Sequence, residues 1–372
     1  MITMEEKIRI RPLTLADIDT VAILKKDVMR IPGMDAANGK ALYKWMLESN
    51  PCRKDNYPIG FVLESDTGIE GAVALMPALC NIGAQHYYAC FEVDLMVSER
   101  LRFHGLKLVA RVWHSDIFPI AFSTTPNETS FNIEKRLGAQ AVPFSSSKYV
   151  LWIDPIKVGI KKYGSKTAGI IFGVLCACFS AAVRIFSMMP KLSSEKISVE
   201  KIDRFDPGFD TFCEKASLDY SVIITRNSRY LNWRYVDFPY GRRTIVKALD
   251  GGGNLRGYMV LQDEKARSGI RVSNILEVFT RRADRPAMRA LINAAIDHAK
   301  KNQIERLEHI PVGYHVESIL SAMGFIKRRL PLPSCLYKMG SAVSAKDTID
   351  MSSWFISAGE GDTSLYSAFL PV

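Results

Sequence analysis

The order of strand-like and helix-like segments is written twice in this chain, and that recurrence constrains the fold more than any single motif. In the first half, the alternating Ile8-Arg9-Ile10-Arg11 precedes a helix start at Thr14-Leu15-Ala16-Asp17, continued by Ile18, Val21, Ala22, Leu24 and Val28 at helical spacing. A short helix fits residues 40–48, and strands fit 59–64, 69–76 and 87–97, the first two joined by the turn Ser65-Asp66-Thr67-Gly68. A helix at 105–116, a strand at 118–122, a helix at 127–137 ending at Gly138, and strands near 141–144 and 149–153 complete the half. The second half repeats the scheme: strand 196–202, helix 207–218, strands 244–249 and 255–262 around Gly251-Gly252-Gly253-Asn254, strand 272–279, helix 286–302, segment 304–309, helix 314–322 ended by Gly324, and strands near 325–328 and 335–338. Residue identity barely recurs, but order and spacing do. The expected organisation is two αβ units, residues 1–155 and 196–340, with a connector at 156–195 and a tail at 341–372.

Charge separates these regions. The chain of 372 residues carries a net +10, but residues 1–155 are net −1, 156–200 are +5, 201–340 are +9 and 341–372 are −3. A uniformly basic, histone-like chain is excluded, and the basic excess belongs to the connector and the second half. Seven cysteines without a CxxC pair read as reduced thiols in a cytoplasmic protein, and Glu5 and Glu6 argue against a signal peptide. Residues 167–183 form a 17-residue run without charge, preceded by Lys161, Lys162 and Lys166. It sits at the short end of what spans a bilayer. A single span would place the similar halves on opposite sides of a membrane, so the expectations are a helix packed on the protein or one touching the inner face of a membrane through 167–189.

Val93-Asp94-Leu95-Met96-Val97 followed by Arg100-Leu101-Arg102-Phe103-His104-Gly105-Leu106 resembles the signature of the GNAT acetyltransferase superfamily. In that family a strand carries the acyl-CoA thioester and an Arg/Gln-x-x-Gly-x-Gly/Ala turn opens a helix. Arg102 and Gly105 match, and Lys107 replaces the second small residue. Backbone N–H groups at such a helix start suit a pyrophosphate. The resemblance implies acetyl-CoA, or another acyl-CoA, held by Leu95, Met96, Val97, Arg102, Phe103, His104, Gly105 and Leu106. Asn127, opening a helix that ends at Lys135-Arg136-Leu137-Gly138, would lie beside the cofactor's pantetheine arm. It also implies the fold class: α/β (α+β), two tandem GNAT-like units, each a mixed, mainly antiparallel twisted sheet flanked by helices.

The second half resembles the same family in outline, with Asn274-Ile275-Leu276-Glu277-Val278-Phe279 as central strand and Leu320-Ser321-Ala322-Met323-Gly324-Phe325 as terminal turn. Its phosphate loop has no glycine; Arg281, Arg282 and Arg285 stand there instead and would hold phosphate by charge. Tyr-Leu-Asn-Trp-Arg-Tyr, within residues 226–235, resembles tandem GNAT-like proteins among bacterial envelope polysaccharide and modification enzymes. Arg229, Tyr230, Trp233, Arg234 and Tyr235 would then contact a sugar or phosphate, or else form an aromatic helix beneath the sheet.

Acyl transfer needs donors for an oxyanion, a base for the nucleophile and an acid for the leaving group. By resemblance the base candidates are Glu92, Asp94 and Glu277, and Tyr314 is the candidate acid, because residues 127–137 hold no tyrosine. A Walker-type reading of 159–167 fails on Ser165, no Gly-x-Ser-x-Gly occurs, and the six histidines lack metal-ligand spacing. Three readings stand. One is an acyl-CoA-dependent N- or O-acyltransferase acting on a small-molecule or lipid-linked sugar acceptor. The second is an enzyme like the aminoacyl-tRNA-dependent peptidoglycan transferases, the one case with a nucleic-acid partner. The third is a non-catalytic binding scaffold.

Overall fold

The computed structural model describes residues 7–114, 117–186, 196–266, 268–312, 314–343, 349–350 and 352–366. It has two compact units. The first comprises Met1–Val142, Leu332–Ile349 and Gly361–Phe369; the second comprises Pro143–Pro331, Asp350–Glu360 and Leu370–Val372.

The sheet of the first unit runs Arg9–Pro12, Gly60–Ser65, Gly68–Ile82, Gln85–Val97, Ile120–Thr124, Cys335–Met339, Gln140–Ala141. Every neighbouring pair is antiparallel except Gln85–Val97 with Ile120–Thr124. The parallel pair needs a crossover, and the helix Gly105–Trp113 belongs to it. That helix buries Leu108, Val109, Val112 and Trp113 against Phe61, Leu63, Val73 and Leu75 of the sheet.

The sheet of the second unit follows the same plan: Ser198–Ile202, Arg243–Leu249, Leu255–Lys265, Arg271–Thr280, Arg306–His309, Ser147–Trp152, Ile326–Arg329. Again only the pair Arg271–Thr280 with Arg306–His309 is parallel. The helix Arg285–Lys301 buries Ala287, Met288, Leu291, Ile292 and Ala295 on it. Both sheets are mixed and mainly antiparallel, as expected.

The sixth strand of each sheet does not come from where the sequence places it. Ser147–Trp152, expected to close the first half, pairs with Arg306–His309 and Ile326–Arg329 in the second unit. Cys335–Met339, expected to close the second half, pairs with Ile120–Thr124 in the first. The boundaries at 155 and 340 therefore do not follow the units. Two strands of like length and pattern, in units built on one plan, fit either sheet, so local pattern cannot say which one takes them.

One feature recurs in identity as well as in shape. Ala36–Tyr43 runs into a π-helical turn, Lys44–Glu48, and Ser228–Leu231 runs into another, Asn232–Val236. Trp45 and Trp233 hold the second place of these turns, and Pro51 and Pro239 follow six residues later. Single π-turns concentrate at functional sites.

The connector forms two helices of the second unit, Pro155–Tyr163 and Lys166–Phe186. Val158 and Phe172 pack on Ile270 and Val272 of its sheet. Gly164, left-handed at φ 66°, ends the first helix, so 159–167 is a helix end and turn rather than a phosphate loop. No helix among the described residues is long and apolar enough to cross a membrane. Residues 187–189 of the run lie outside the described residues.

Candidate active site

The central strand of the first unit opens at its middle. It pairs with Ile120–Thr124 only from Ala89 to Glu92, the last partner being Ser123. On its other side the register slips, with Val93 opposite Ala74 but Met96 opposite Ala72. The extra residue is accommodated at Asp94, whose φ of 59° lies in the left-handed region. A bulge and a lost partner at one point leave a split, with main-chain groups of Leu95, Met96 and Val97 on the strand beyond it.

Three carboxyl groups gather beside this split, Glu92 and Glu134 buried and Asp362 half-buried. Glu92 is 5% exposed, and the Trp113 indole N–H donates to its Oε2. Burial, with the nearby charge of Asp362, pushes its pKa up to about 7 against that hydrogen bond. Glu134, on the helix Glu128–Arg136, is pushed up to about 9 by burial and by Glu92, although the Ser123 hydroxyl bonds to it. Its Oε2 is buried with no hydrogen-bond partner among the described residues. Asp362 is more exposed and lies in the tail; its Oδ1 accepts from the hydroxyls of Thr124 at 2.9 Å and Thr125 at 2.7 Å. Burial raises it to about 6. No cation bonds directly to any of the three among the described residues, so they stay protonatable near neutrality.

Asp94 is treated differently. It forms a buried ion pair with Lys25 Nζ at 2.5 Å and accepts from the Tyr43 hydroxyl at 2.8 Å. The left-handed bulge aims it at the helices, where it anchors Ile18–Met29 and Ala36–Tyr43. Its expected role as base is corrected to that of a structural anchor.

The second unit repeats the opening but fills it. Arg271–Thr280 pairs with Arg306–His309 only as far as Ile275, and Leu276 bulges between Ile275 and Glu277. Glu277 then meets a full set of donors: Arg226 at 3.0 and 3.3 Å, Tyr235 at 2.7 Å, Ser357 at 2.6 Å, and Tyr258. Arg226 is itself buried and also bonds Glu360 at 2.5 Å. Burial opposes ionisation of Glu277, but the Arg226 guanidinium outweighs it and holds the group below its ordinary pKa. The tail closes the split, because the Gly359 N–H donates to the bulged Leu276 carbonyl at 3.1 Å. A carboxylate so saturated does not accept a further proton readily, and the assignment of Glu277 as base is corrected accordingly. The side chain of Tyr314, the candidate acid, lies outside the described residues; its backbone opens the helix Tyr314–Ala322.

The two candidate phosphate turns differ as well. In the first unit a 3-10 helix, Glu99–His104, is kinked at Leu101 and continues into Gly105–Trp113 with no side-chain cap. Arg102, Phe103 and Leu106 are exposed there, Phe103 at 94%, and Lys107 also faces solvent. His104 Nδ1 is buried without a hydrogen-bond partner among the described residues. In the second unit protein carboxylates stand where an anion would. Asp284 accepts the Ala287 N–H at 3.1 Å and Asp219 accepts the Arg282 N–H at 2.9 Å. Arg281 is paired to Asp219 at 2.7 Å and Arg256 to Asp284 at 2.7 Å, around a cavity of about 700 Å³. Arg285 is exposed at the helix start. Much of the second half's positive charge at this loop is therefore matched internally.

No family model matches the chain, and no curated protein matches it in sequence. Solved structures do match in shape. A conserved protein of Enterococcus faecalis V583 described as a probable N-acyltransferase aligns at TM-score 0.59 and 9% identity, over 90% of this chain and 73% of that one. A GCN5-related N-acetyltransferase from Anabaena variabilis aligns at 0.54 and 12%, over 97% and 89%. Saccharomyces cerevisiae N-myristoyltransferase with bound myristoyl-CoA aligns at 0.54 and 10%, over 95% and 86%. The fold is that of the GNAT acyltransferases.

Within this GNAT fold, the aromatic motif lies in the core rather than on a sugar-binding face. Tyr230, Trp233, Arg234 and Tyr235 are at most 4% exposed, and only Arg229 reaches solvent. Tyr235 bonds Glu277, and Arg234 bonds the Gly359 carbonyl. The sugar-contact assignment is corrected: Tyr235 and Arg234 hold the plugged split together, and Tyr230 and Trp233 pack in the core. Asn127 is an exposed N-cap that accepts the Ser130 N–H at 3.0 Å.

Sequence reasoning missed Glu134, Asp362, Glu360, Arg226 and Lys25. Glu134 did carry a signal, because it falls three residues after Phe131 and three before Leu137, a charge on an apolar helix face. Asp362 and Glu360 sit in Gly359-Glu360-Gly361-Asp362, where no periodicity exists to read.

Proposed function

We propose that this protein is an acyl-CoA-dependent N- or O-acyltransferase whose reacting centre lies in the first unit. The observation that carries this is the set Glu92, Glu134 and Asp362, raised to about 7, 9 and 6 beside the split in the central strand. Environments that push neighbouring carboxyl groups apart in pKa mark acid and base roles.

The residues of the first unit fit an acyl-CoA. The turn at Arg102–Gly105, with its exposed arginine and a buried His104 Nδ1 that has no hydrogen-bond partner among the described residues, suits a phosphate by side-chain charge and hydrogen bonding, and the strand at Leu95, Met96 and Val97 suits the arm that follows. The bound acyl-CoA supplies an activated acyl thioester. Glu92 takes the proton of the attacking amine or hydroxyl, because its pKa near 7 matches the task and Trp113 fixes the orientation of its carboxyl group. Glu134, near 9, still holds a proton at neutral pH and is the acid. Asp362, the more exposed of the three, carries protons between the buried pair and water. The acceptor is a group that sheds a proton when acylated; the amine or hydroxyl of a small or lipid-linked sugar meets that requirement.

The test combines binding and turnover. Acetyl-CoA and longer acyl-CoAs at millimolar concentration raise the melting temperature, since a ligand at about 100 times its Kd adds about 2.7 kcal/mol. Glu92→Gln keeps that shift and loses acceptor-dependent release of free thiol. Absence of any shift with every acyl-CoA overturns the reading.

A further inference from the structure

The hairpin of Pro155–Tyr163 and Lys166–Phe186 has its apolar residues on the outside. Ile170, Ile171, Val174 and Leu175 are 54%, 57%, 56% and 64% exposed, with Cys178 next on the same face. The face turned inward holds Gly169 and Gly173. A Cβ on Gly159 would meet the Gly169 Cα at 2.8 Å, so the two helices touch backbone to backbone and leave their large side chains to solvent. Ile156 and Tyr163 of the first helix are 45% and 51% exposed. These six are more than half of the exposed large hydrophobic residues among the described ones. A surface helix of a water-soluble domain has the opposite arrangement, polar outside and apolar inside.

Charge identifies the occupant. Residues 155–186 contain Lys157, Lys161, Lys162, Lys166 and Arg184 and no acidic residue. Lys162 and Lys166 are exposed at the helix turn, whereas Lys157, at the far end of the first helix, pairs with Asp154 at 2.8 Å and Lys161 is held by Glu305 at 2.6 Å. Close glycine packing makes the hairpin a preformed wedge, with aliphatic side chains along one edge and lysines toward the turn. We infer that this hairpin docks the protein on an anionic lipid surface, with Ile170, Ile171, Val174 and Leu175 entering the acyl boundary and Lys162 and Lys166 meeting headgroup phosphates. The helix lies on the membrane without crossing it, in keeping with the absence of a spanning helix among the described residues.

The experiment is flotation of the full chain with vesicles of phosphatidylcholine alone and of phosphatidylcholine with about 30% phosphatidylglycerol, a content that gives the surface a clear negative potential. The protein floats with the anionic vesicles and more weakly with the neutral ones. Replacing Ile170, Ile171, Val174 and Leu175 together by Ser lowers partition by about 100-fold on both, given the apolar surface lost. Lys162→Gln with Lys166→Gln lowers it about 25-fold on anionic vesicles only, at about 5-fold per lysine. A single Leu175→Trp, which leaves the glycine seam intact, reports the same insertion as a blue shift of emission on anionic vesicles. Wild-type protein left in the aqueous fraction overturns the inference. So does flotation indifferent to the four apolar side chains, an unshifted emission from the Leu175→Trp variant, or a lipid-free dimer in which this face is covered.

Discussion

Glu92 and Glu277 stand on the corresponding strand of two sheets built to one plan, each next to a bulge and a lost parallel partner. Around Glu92 the protein supplies one indole N–H and two further carboxyl groups; around Glu277 it supplies an arginine, two tyrosines and a serine. Burial is nearly equal, 5% and 1% exposed, so burial alone does not decide the outcome. The partners do: one carboxyl group rises to about 7 and the other falls below its ordinary value. A fold duplicated within one chain can thus keep an opening in one unit and plug it in the other with the same tail, whose Glu360 serves the plugged split and Asp362 the open one.

The largest effect expected from breaking this contrast is in the plugged unit. Arg226→Met leaves Glu277 and Glu360 buried without their cation and costs about 3–5 kcal/mol in denaturant unfolding. Glu92→Gln, in the open unit, is expected to reduce kcat about 100-fold with acyl-CoA affinity unchanged, as removal of a general base does.

A further effect concerns pH and stability. Glu134 has a folded pKa above its unfolded one, so its stabilising contribution is complete below about 4.5 and is lost as pH rises through about 9. Glu134→Gln is expected to stabilise the protein by roughly 4 kcal/mol at pH 8, about 1.4 kcal/mol for each pH unit above the unfolded value, and by nothing measurable at pH 4, read from unfolding midpoints at the two pH values. The smallest effect is a shift. The charge of Asp362 raises Glu92, so Asp362→Asn moves the acidic limb of the kcat/KM profile, where Glu92 ionises near pH 7, about half a unit lower.

The same contrast shows how much the sequence discloses. The alternating strands, the glycine turns and the recurring order identify the sheet plan of both units, and the motif around Gly105 falls where a 3-10 helix runs into the helix Gly105–Trp113. Glu92 is a candidate from its place on the central strand, a place the sheet bears out. Which unit is open is not legible, because that depends on Arg226, Glu360 and Asp362 reaching their partners across 51, 134 and 238 positions of chain. The exchange of Ser147–Trp152 and Cys335–Met339 is hidden for a related reason: both are short, largely apolar strands without a distinguishing pattern, and only the finished sheets separate them. The aromatic motif misleads because aromatic and arginine side chains suit a sugar surface and a hydrogen-bonded core alike, and burial separates the two.

Hydrogen exchange of the full chain with and without coenzyme A tests the central claim most directly. The account predicts slowed exchange along 95–113 and 120–136, the strand, turn and helices around the open split, with 275–290 unchanged. Protection confined to 275–290, or none in either unit, would contradict it.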